Sequence, residues 1–374
     1  MIAVLVVDDS VVVRKLITDA LGGAPGIEVV GTAANGQLAQ AKIDQLKPDV
    51  ITMDIEMPKM NGIEAVRELR KRNKQVPVIM FSTLSASGAS ATLEALSAGA
   101  TDYVTKPSNV GSIAESVAAV REQLVPKIHA LAKKGPPSAP SRAPARPLTG
   151  PPSRPAPSLR PAATRPAAPV RRGPPGRVDL LAVGCSTGGP DALTKVLLGL
   201  TADLPVPMVV TQHMPPVFTK MFAERLDRST ALTVVEASEG MELAAGTVYI
   251  APGDKHLVLV RKGTAVVTQL SSAPPENSCR PAVDVMFRSV AQVFGGAAYA
   301  TVLTGMGADG RNGAKVMRDA GAEVLAQDEA SSVVWGMPGA VVQAGLADEI
   351  VPLDRIASSM LNRLKVGRSA AVAR

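Results

Sequence analysis

The segment Gly184-Cys185-Ser186-Thr187-Gly188-Gly189-Pro190 sets a serine among glycines directly after the apolar run Leu180-Leu181-Ala182-Val183. A serine in that position is a candidate nucleophile. A sharp strand-to-helix turn lifts its hydroxyl clear of a sheet, and glycine tolerates the backbone such a turn needs. Beyond Pro190, the spacing of Ala192, Leu193, Val196 and Leu197 predicts a helix, whose first N–H groups are free to meet an anion. A hydroxyl also needs a base. Of the three histidines, His213 closes the apolar run Pro207-Met208-Val209-Val210-Thr211-Gln212 and is the natural partner if its strand neighbours that of Ser186. His256 follows a turn and reads as structural or as part of the site's rim; His129 lies at the edge of a linker. The orienting acid is expected from Thr301-Val302-Leu303-Thr304-Gly305-Met306-Gly307-Ala308-Asp309-Gly310. There a strand runs into a Gly-rich loop, with Asp309 as the acid and the Met306 N–H as an oxyanion donor. Cys185 reads as a small buried residue; a cysteine nucleophile would require it, not Ser186, at the apex of the turn.

A second constellation lies near the start of the chain. Asp8 and Asp9 follow Ile2–Val7, Asp54 follows Val50–Met53, Ser82 follows Val78–Phe81, and Lys106 follows Tyr103-Val104-Thr105. Gathered on one rim, the three carboxylates repel unless a cation joins them, and an all-oxygen set suits Mg²⁺. A carboxylate there can attack phosphorus, with a metal and a lysine offsetting charge on the transferred group.

Both constellations need strands that end on a common edge. In the first part of the chain, apolar runs alternate with helical patterns near 10–22, 36–46, 62–72, 88–98 and 111–124. Five such alternations predict a doubly wound (βα)5 domain, whose ligands sit beyond the carboxyl ends of the strands. Alternation resumes at Val178, with strands expected near 180–184, 207–211, 232–236, 247–250, 256–260, 265–270, 298–303 and 323–326. Helices are expected near 190–199, 216–226, 282–294, 311–320, 338–344 and 353–365. This pattern predicts a mostly parallel α/β sheet with an inserted hairpin, Pro252-Gly253-Asp254 supplying its turn.

Between the two parts the composition changes. Fourteen prolines fall between Pro136 and Pro175, among Ala, Ser and Arg, so no core can form there. Eleven basic residues and no acidic ones lie between Gln123 and Val178; without them the chain's net charge of +7 becomes −4. The positive charge therefore belongs to a flexible linker, not to a folded surface, and no interleaved aromatics make it a nucleic-acid reader. The expected organisation is a domain at 1–124, a linker at 125–177 and a second domain at 178–374. Two cysteines, Cys185 and Cys279, make no disulfide framework or zinc pattern. The absence of a signal peptide or long apolar span predicts a cytoplasmic protein with no membrane insertion.

The stretches Val-Val-Asp-Asp-Ser, Met-Asp-Ile-Glu-Met-Pro-Lys-Met-Asn-Gly, Met-Phe-Ser and Tyr-Val-Thr-Lys-Pro give residues 1–124 a resemblance to response-regulator receiver domains. The resemblance implies phosphorylation of Asp54, with Asp8, Asp9 and Asp54 holding Mg²⁺. Lys106 and Ser82 would contact the phosphoryl oxygens, and Tyr103 would report the switch. In the second domain the order Ser186…His213…Asp309 departs from α/β-hydrolases, which run Ser…Asp/Glu…His. Gly-Cys-Ser-Thr-Gly-Gly-Pro, Gln-His-Met-Pro, Val-Tyr-Ile-Ala-Pro-Gly-Asp-Lys-His and Leu-Thr-Gly-Met-Gly-Ala-Asp-Gly instead resemble the catalytic domain of the chemotaxis protein-glutamate methylesterases (CheB). That likeness implies a phosphorylation-stimulated serine hydrolase that demethylates glutamate methyl esters on methyl-accepting chemotaxis receptors and deamidates receptor glutamines. It implies no cofactor for the esterase, a sensor histidine kinase as phosphodonor, no nucleic acid, and a monomer. The rival readings are a response regulator with a non-catalytic DNA- or protein-binding output, and a general serine esterase or peptidase.

Overall fold

The computed structural model describes residues 1–72, 75–107, 112–132 and 176–369. Most of the expected linker lies outside these residues. The first domain runs β1 (Ile2–Val7), α1 (Val11–Leu21), β2 (Ile27–Ala33), α2 (Gly36–Leu46), β3 (Val50–Asp54), α3 (Gly62–Arg72), β4 (Val78–Ser82), α4 (Ala86–Ser97), β5 (Asp102–Thr105) and α5 (Ile113–Ala132). Its strands form one parallel sheet in the order β2-β1-β3-β4-β5. β3 and β4 are buried along their whole length, as continuous apolar runs require when helices cover both faces. Ser10, Asn35 and Ser85 cap α1, α2 and α4 by accepting from the N–H groups of Val13, Leu38 and Gly88; these caps fix where three helices start.

One boundary differs from expectation. α5 continues past 124 to Ala132, with Pro126 inside it, because Leu124, Ile128 and Leu131 recur on one face and are buried in the domain core. Residues 125–132, expected as linker, are therefore packed helix. His129 stands on it, its ring near Gly26.

The second domain runs β6 (Leu180–Cys185), α6 (Gly189–Leu198), β7 (Met208–Gln212), α7 (Phe218–Ser229), β8 (Thr233–Glu236), β9 (Thr247–Ile250), β10 (His256–Lys262), β11 (Ala265–Ser271), α8 (Val283–Phe294), β12 (Ala298–Val302), α9 (Arg311–Asp319), β13 (Glu323–Gln327), α10 (Met337–Gln343), β14 (Glu349–Val351) and α11 (Leu353–Ser369). Seven strands make an all-parallel sheet in the order β14-β13-β12-β6-β7-β9-β8. The chain leaves β6 toward β7 and later returns to the other side of β6 as β12. The order thus reverses at β6, and a crevice opens at its carboxyl end.

The inserted hairpin is β10–β11, a separate two-stranded sheet. Its turn is not Pro252-Gly253-Asp254, as expected, but the segment between Lys262 and Ala265. Pro252–Asp254 instead joins β9 of the main sheet to β10. β9 is apolar and buried, and pairs in parallel with β7 and β8. Strand β14 carries too few apolar residues to have been anticipated.

The two domains pack face to face. Tyr103 of β5 stacks on Phe218 of α7, ring centroids 5.0 Å apart and planes 10° from parallel. Arg225 of α7 bonds Ser97 of α4 at 2.5 Å, and Val333 and Val334 pack against the first domain's core. Among the described residues, no helix is long and apolar enough to cross a membrane.

Candidate active site

β6 ends at Cys185, Gly188 adopts φ 75°, and α6 begins at the next residue with Pro190 in its first turn. A Cβ on Gly188 would meet Val333 Cβ at 2.5 Å, so the tight turn admits only glycine. Ser186 lies on the outside of this turn, half-buried, while Cys185 points into the core. Burial pushes the Cys185 thiol far above its ordinary pKa, so it holds its proton. The turn is braced by three bonds from the ends of two neighbouring strands, β7 and β12. The Ser186 N–H donates to Thr304 O at 3.0 Å, the Gln212 amide donates to Ser186 O at 3.1 Å, and the Thr304 hydroxyl donates to Thr187 O at 2.9 Å. The loop after β12 comes in so close that a Cβ on Gly305 would lie 2.9 Å from Ser186 Cβ. Neither the Met306 N–H, next in that loop, nor the Thr187 N–H donates to a backbone carbonyl among the described residues.

His213 follows β7 directly, and its ring Nε2 lies 2.8 Å from Asp309 Oδ2. Asp309 is buried at the N-terminus of α8. Its Oδ2 also accepts from the Val283 N–H at 2.7 Å, and its Oδ1 accepts from the N–H groups of Asp284 and Gly310 at 3.0 and 2.9 Å. Burial alone would raise its pKa, but His213 and these N–H donors hold it below the ordinary carboxylate range. Burial likewise works to lower the His213 pKa. Its bonds to Asp309 and to Cys279, whose sulfur lies 3.5 Å from Nδ1, outweigh burial and raise it from 6.5 to about 9. Both ring nitrogens are thus engaged, and no hydrogen bond joins His213 to Ser186 Oγ among the described residues. The structure brings the three residues to one crevice with His213 and Asp309 bonded and Ser186 waiting.

In the first domain, Asp8, Asp9 and Asp54 bring one carboxylate oxygen each to within 4.8 Å of one another. Lys106 Nζ lies 2.8 Å from Asp54 Oδ1 and 3.4 Å from Asp8 Oδ2. Asp8 Oδ2 is buried and has no hydrogen bond, only that ion pair. Burial and the charge of Asp54 push Asp8 up to about 6, and burial raises Asp54 against the pull of Lys106. A carboxylate oxygen left without a donor, beside a second raised acid, fits a cation site. Ser82 takes part in a local network, its hydroxyl 3.1 Å from Gly88 O and 2.6 Å from the Thr92 hydroxyl. Tyr103 faces away from this pocket, toward Phe218.

Two family descriptions match the chain: the response regulator receiver domain over residues 4–118 and the CheB methylesterase over 181–360. A protein from Nocardioides sp. named protein-glutamate methylesterase/protein-glutamine glutaminase is 52% identical over 99% of this chain and 98% of its own length. The chain belongs to that family. A relative of the same name from Trichodesmium erythraeum is 45% identical over 96% of this chain and 98% of its own. The crystal structure of the Thermotoga maritima CheB methylesterase catalytic domain is 41% identical, with a TM-score of 0.49, covering 50% of this chain and 98% of that one. A receiver domain and a CheB methylesterase domain are therefore joined in one chain.

Several contacts around this site were not foreseen from the sequence. Gln212 reads as the last residue of a strand, yet its amide ties Ser186 O to His213 O, at 3.1 and 3.0 Å. Asn277 and Cys279 lie in a loop with no motif, and Asp102 belongs to the other domain. His256 is fully buried, accepting from the Ala282 N–H and facing Pro274 O at 3.1 Å each. It holds the loop that leads into α8 and makes no hydrogen bond to His213 or Asp309 among the described residues.

Proposed function

We propose that Ser186, His213 and Asp309 form the catalytic triad of a phosphorylation-stimulated protein-glutamate methylesterase and glutamine deamidase acting on chemotaxis receptors. The observation that carries this reading is the His213–Asp309 bond of 2.8 Å at the strand-order reversal that also carries Ser186. With Nε2 committed to Asp309, Nδ1 is the nitrogen that takes the serine proton, exchanging Cys279 for Ser186 as it does so. Ser186 Oγ then attacks the γ-carbonyl carbon of a glutamyl methyl ester. The N–H groups of Met306 and Thr187 stabilise the oxyanion, each such donor contributing about 3 kcal/mol. His213 returns the proton to the departing methoxide, methanol leaves, and an acyl-serine remains. Water, deprotonated by His213, cleaves that ester and yields glutamate and free Ser186. From glutamine the same sequence releases ammonia. No step requires a cofactor.

In the receiver, Asp54 Oδ1 is engaged by Lys106 and by the Ile55 N–H, each at 2.8 Å, which leaves Oδ2 to attack phosphorus. The donor is the phosphohistidine of a sensor kinase, whose P–N bond breaks. Mg²⁺ held by Asp8, Asp9 and Asp54 would offset the charge on the transferring group. Lys106 and Ser82 then bind the phosphoryl oxygens. Drawing Ser82 inward disturbs β4 and its neighbour β5, so that Tyr103 leaves Phe218 and the domains part. The protein works in the cytoplasm as a monomer, on the receptors' signalling helices.

The test is methanol released from labelled, methylated receptor membranes. Phosphorylated full-length protein releases it, and Ser186→Ala does not. Hydrolysis of small esters without release from receptor would support the general-esterase reading instead.

A further inference from the structure

The turn Glu276–Cys279 lies outside every motif of the site, yet two of its side chains touch the triad. Glu276 and Cys279 are joined by paired backbone bonds of 3.1 and 2.9 Å. Between them Asn277 (φ 53°) and Ser278 (φ 60°) are both left-handed. That is a type I′ turn, in which Asn is favoured at the first central position. Two ion pairs hold it from outside: Glu276 with Arg288 of α8, at 2.7 and 2.5 Å, and Arg280 with Asp254, at 2.9 and 2.5 Å. The tip therefore has a fixed aim. Asn277 Nδ2 lies 2.9 Å from Asp309 Oδ1 and 3.0 Å from Asp284 Oδ2.

Asp309 and Asp284 are both buried and share this one amide. An NH₂ group carries two hydrogens and can give one to each carboxylate. Asp284 spends its other oxygen on the Gly313 N–H at 2.6 Å. Among the described residues, the only side chains donating to Asp309 are His213 and Asn277. Without Asn277, Asp284 Oδ2 would have no hydrogen-bond donor among the described residues, and His213 would be the one side chain left to share the charge of Asp309 with the backbone N–H groups of Val283, Asp284 and Gly310.

We infer that Asn277 is a positioning residue for the reaction: its amide separates Asp309 from Asp284 and draws charge from Asp309, keeping His213 able to release as well as accept a proton. This rests on the triad reading above. The other titratable or charged groups around the pair are Cys279 and Glu276 of the turn, Asp284 and Arg288 of α8, and His256.

Two substitutions separate this role from a purely structural one. Asn277→Gly keeps the left-handed turn, which glycine adopts freely, and deletes the amide. Asn277→Asp keeps size and turn but replaces the donor with a third carboxylate. Full-length, phosphorylated protein is assayed on methylated receptor membranes across pH, and the His213 imidazole is titrated by NMR, with His213→Gln assigning its signal among three histidines. For Asn277→Gly we expect kcat at neutral pH to fall about tenfold with KM unchanged, and both the acidic limb of the profile and the His213 midpoint to move to higher pH. Asn277→Asp should move both further. Wild-type kcat in Asn277→Gly, or a loss of activity with the profile and His213 midpoint unmoved, would overturn the inference. Activity surviving Ser186→Ala would instead refute the triad, while the NMR midpoint still decides whether Asn277 acts on His213.

Discussion

Thr187, the residue after Ser186, donates its hydroxyl across the domain boundary to Asp102 Oδ2 at 2.9 Å. The same oxygen pairs with Lys127 of α5 at 2.5 Å. Asp102 is the first residue of β5, next to Tyr103, and Lys106 follows the same strand. One strand and one hydrogen bond therefore connect the pocket of Asp54 and Lys106 to the turn that carries Ser186. Asp102→Ala removes the bond without touching either active site. Basal methylesterase activity of the unphosphorylated protein should rise toward that of a fragment beginning near Val178. About 1.4 kcal/mol of docking would make the difference tenfold. Equal rates for variant, fragment and unphosphorylated parent would mean that the receiver does not restrict the site.

Ser186→Ala should lower receptor demethylation by a factor of roughly 10⁴ or more, with thermal stability unchanged because a half-exposed hydroxyl is lost. Cys185→Ala should keep its activity, since that thiol is buried and held protonated. The reverse pattern in methanol release would move the nucleophile to Cys185.

The pH dependence follows from His213. Its pKa is raised from 6.5 to about 9 in the fold, so its stabilising charge is fully present below about 6.5 and fades as pH rises through about 9. Unphosphorylated protein should gain esterase activity over that same rise, as the base form appears. Cys279→Ala removes one cause of the raise and should shift both the activity limb and the His213 titration to lower pH. An unmoved titration would show that the 3.5 Å contact with sulfur carries no weight.

Asp54→Asn should abolish acid-labile phosphorylation by acetyl phosphate, measured by radiolabel or intact mass. Lys106→Ala should keep the acceptor and weaken the stimulation of the esterase. Stoichiometric phosphorylation of Asp54→Asn would refute the assignment of the receiver.

Mg²⁺ should raise the receiver's melting temperature. Asp8, raised from 3.8 to about 6 by burial and by Asp54, costs the fold stability as pH rises through that range, and a bound cation relieves the cost. The thermal shift should therefore be large at pH 7.5 and small at pH 5, by calorimetry. A shift that is equal at both values would place the ion elsewhere.

The receiver fold and the crevice that gathers Ser186, His213 and Asp309 were legible in the sequence because each depends on local patterns: apolar runs ending in acids, glycines flanking Ser186, and a Gly-rich loop before Asp309. The end of α5 was misplaced because Pro126 and a fading apolar pattern look like a helix stop, while burial of Ile128 and Leu131 continues the helix. The contacts of Asn277, Gln212 and Asp102 were invisible for another reason. Each joins residues distant in sequence, 32 positions from Asn277 to Asp309 and 85 from Asp102 to Thr187. No one-dimensional spacing rule reaches that far.

The doubly engaged imidazole of His213 has a consequence for chemical labelling. A serine whose base is occupied reacts with fluorophosphonate probes little faster than an ordinary surface hydroxyl. With Nδ1 held by Cys279, the enzyme would then be nearly silent in a probe-based survey of serine hydrolases, however abundant it was. Labelled protein would count the molecules in which His213 has exchanged Cys279 for Ser186, so such a probe reads the availability of the base rather than the amount of enzyme.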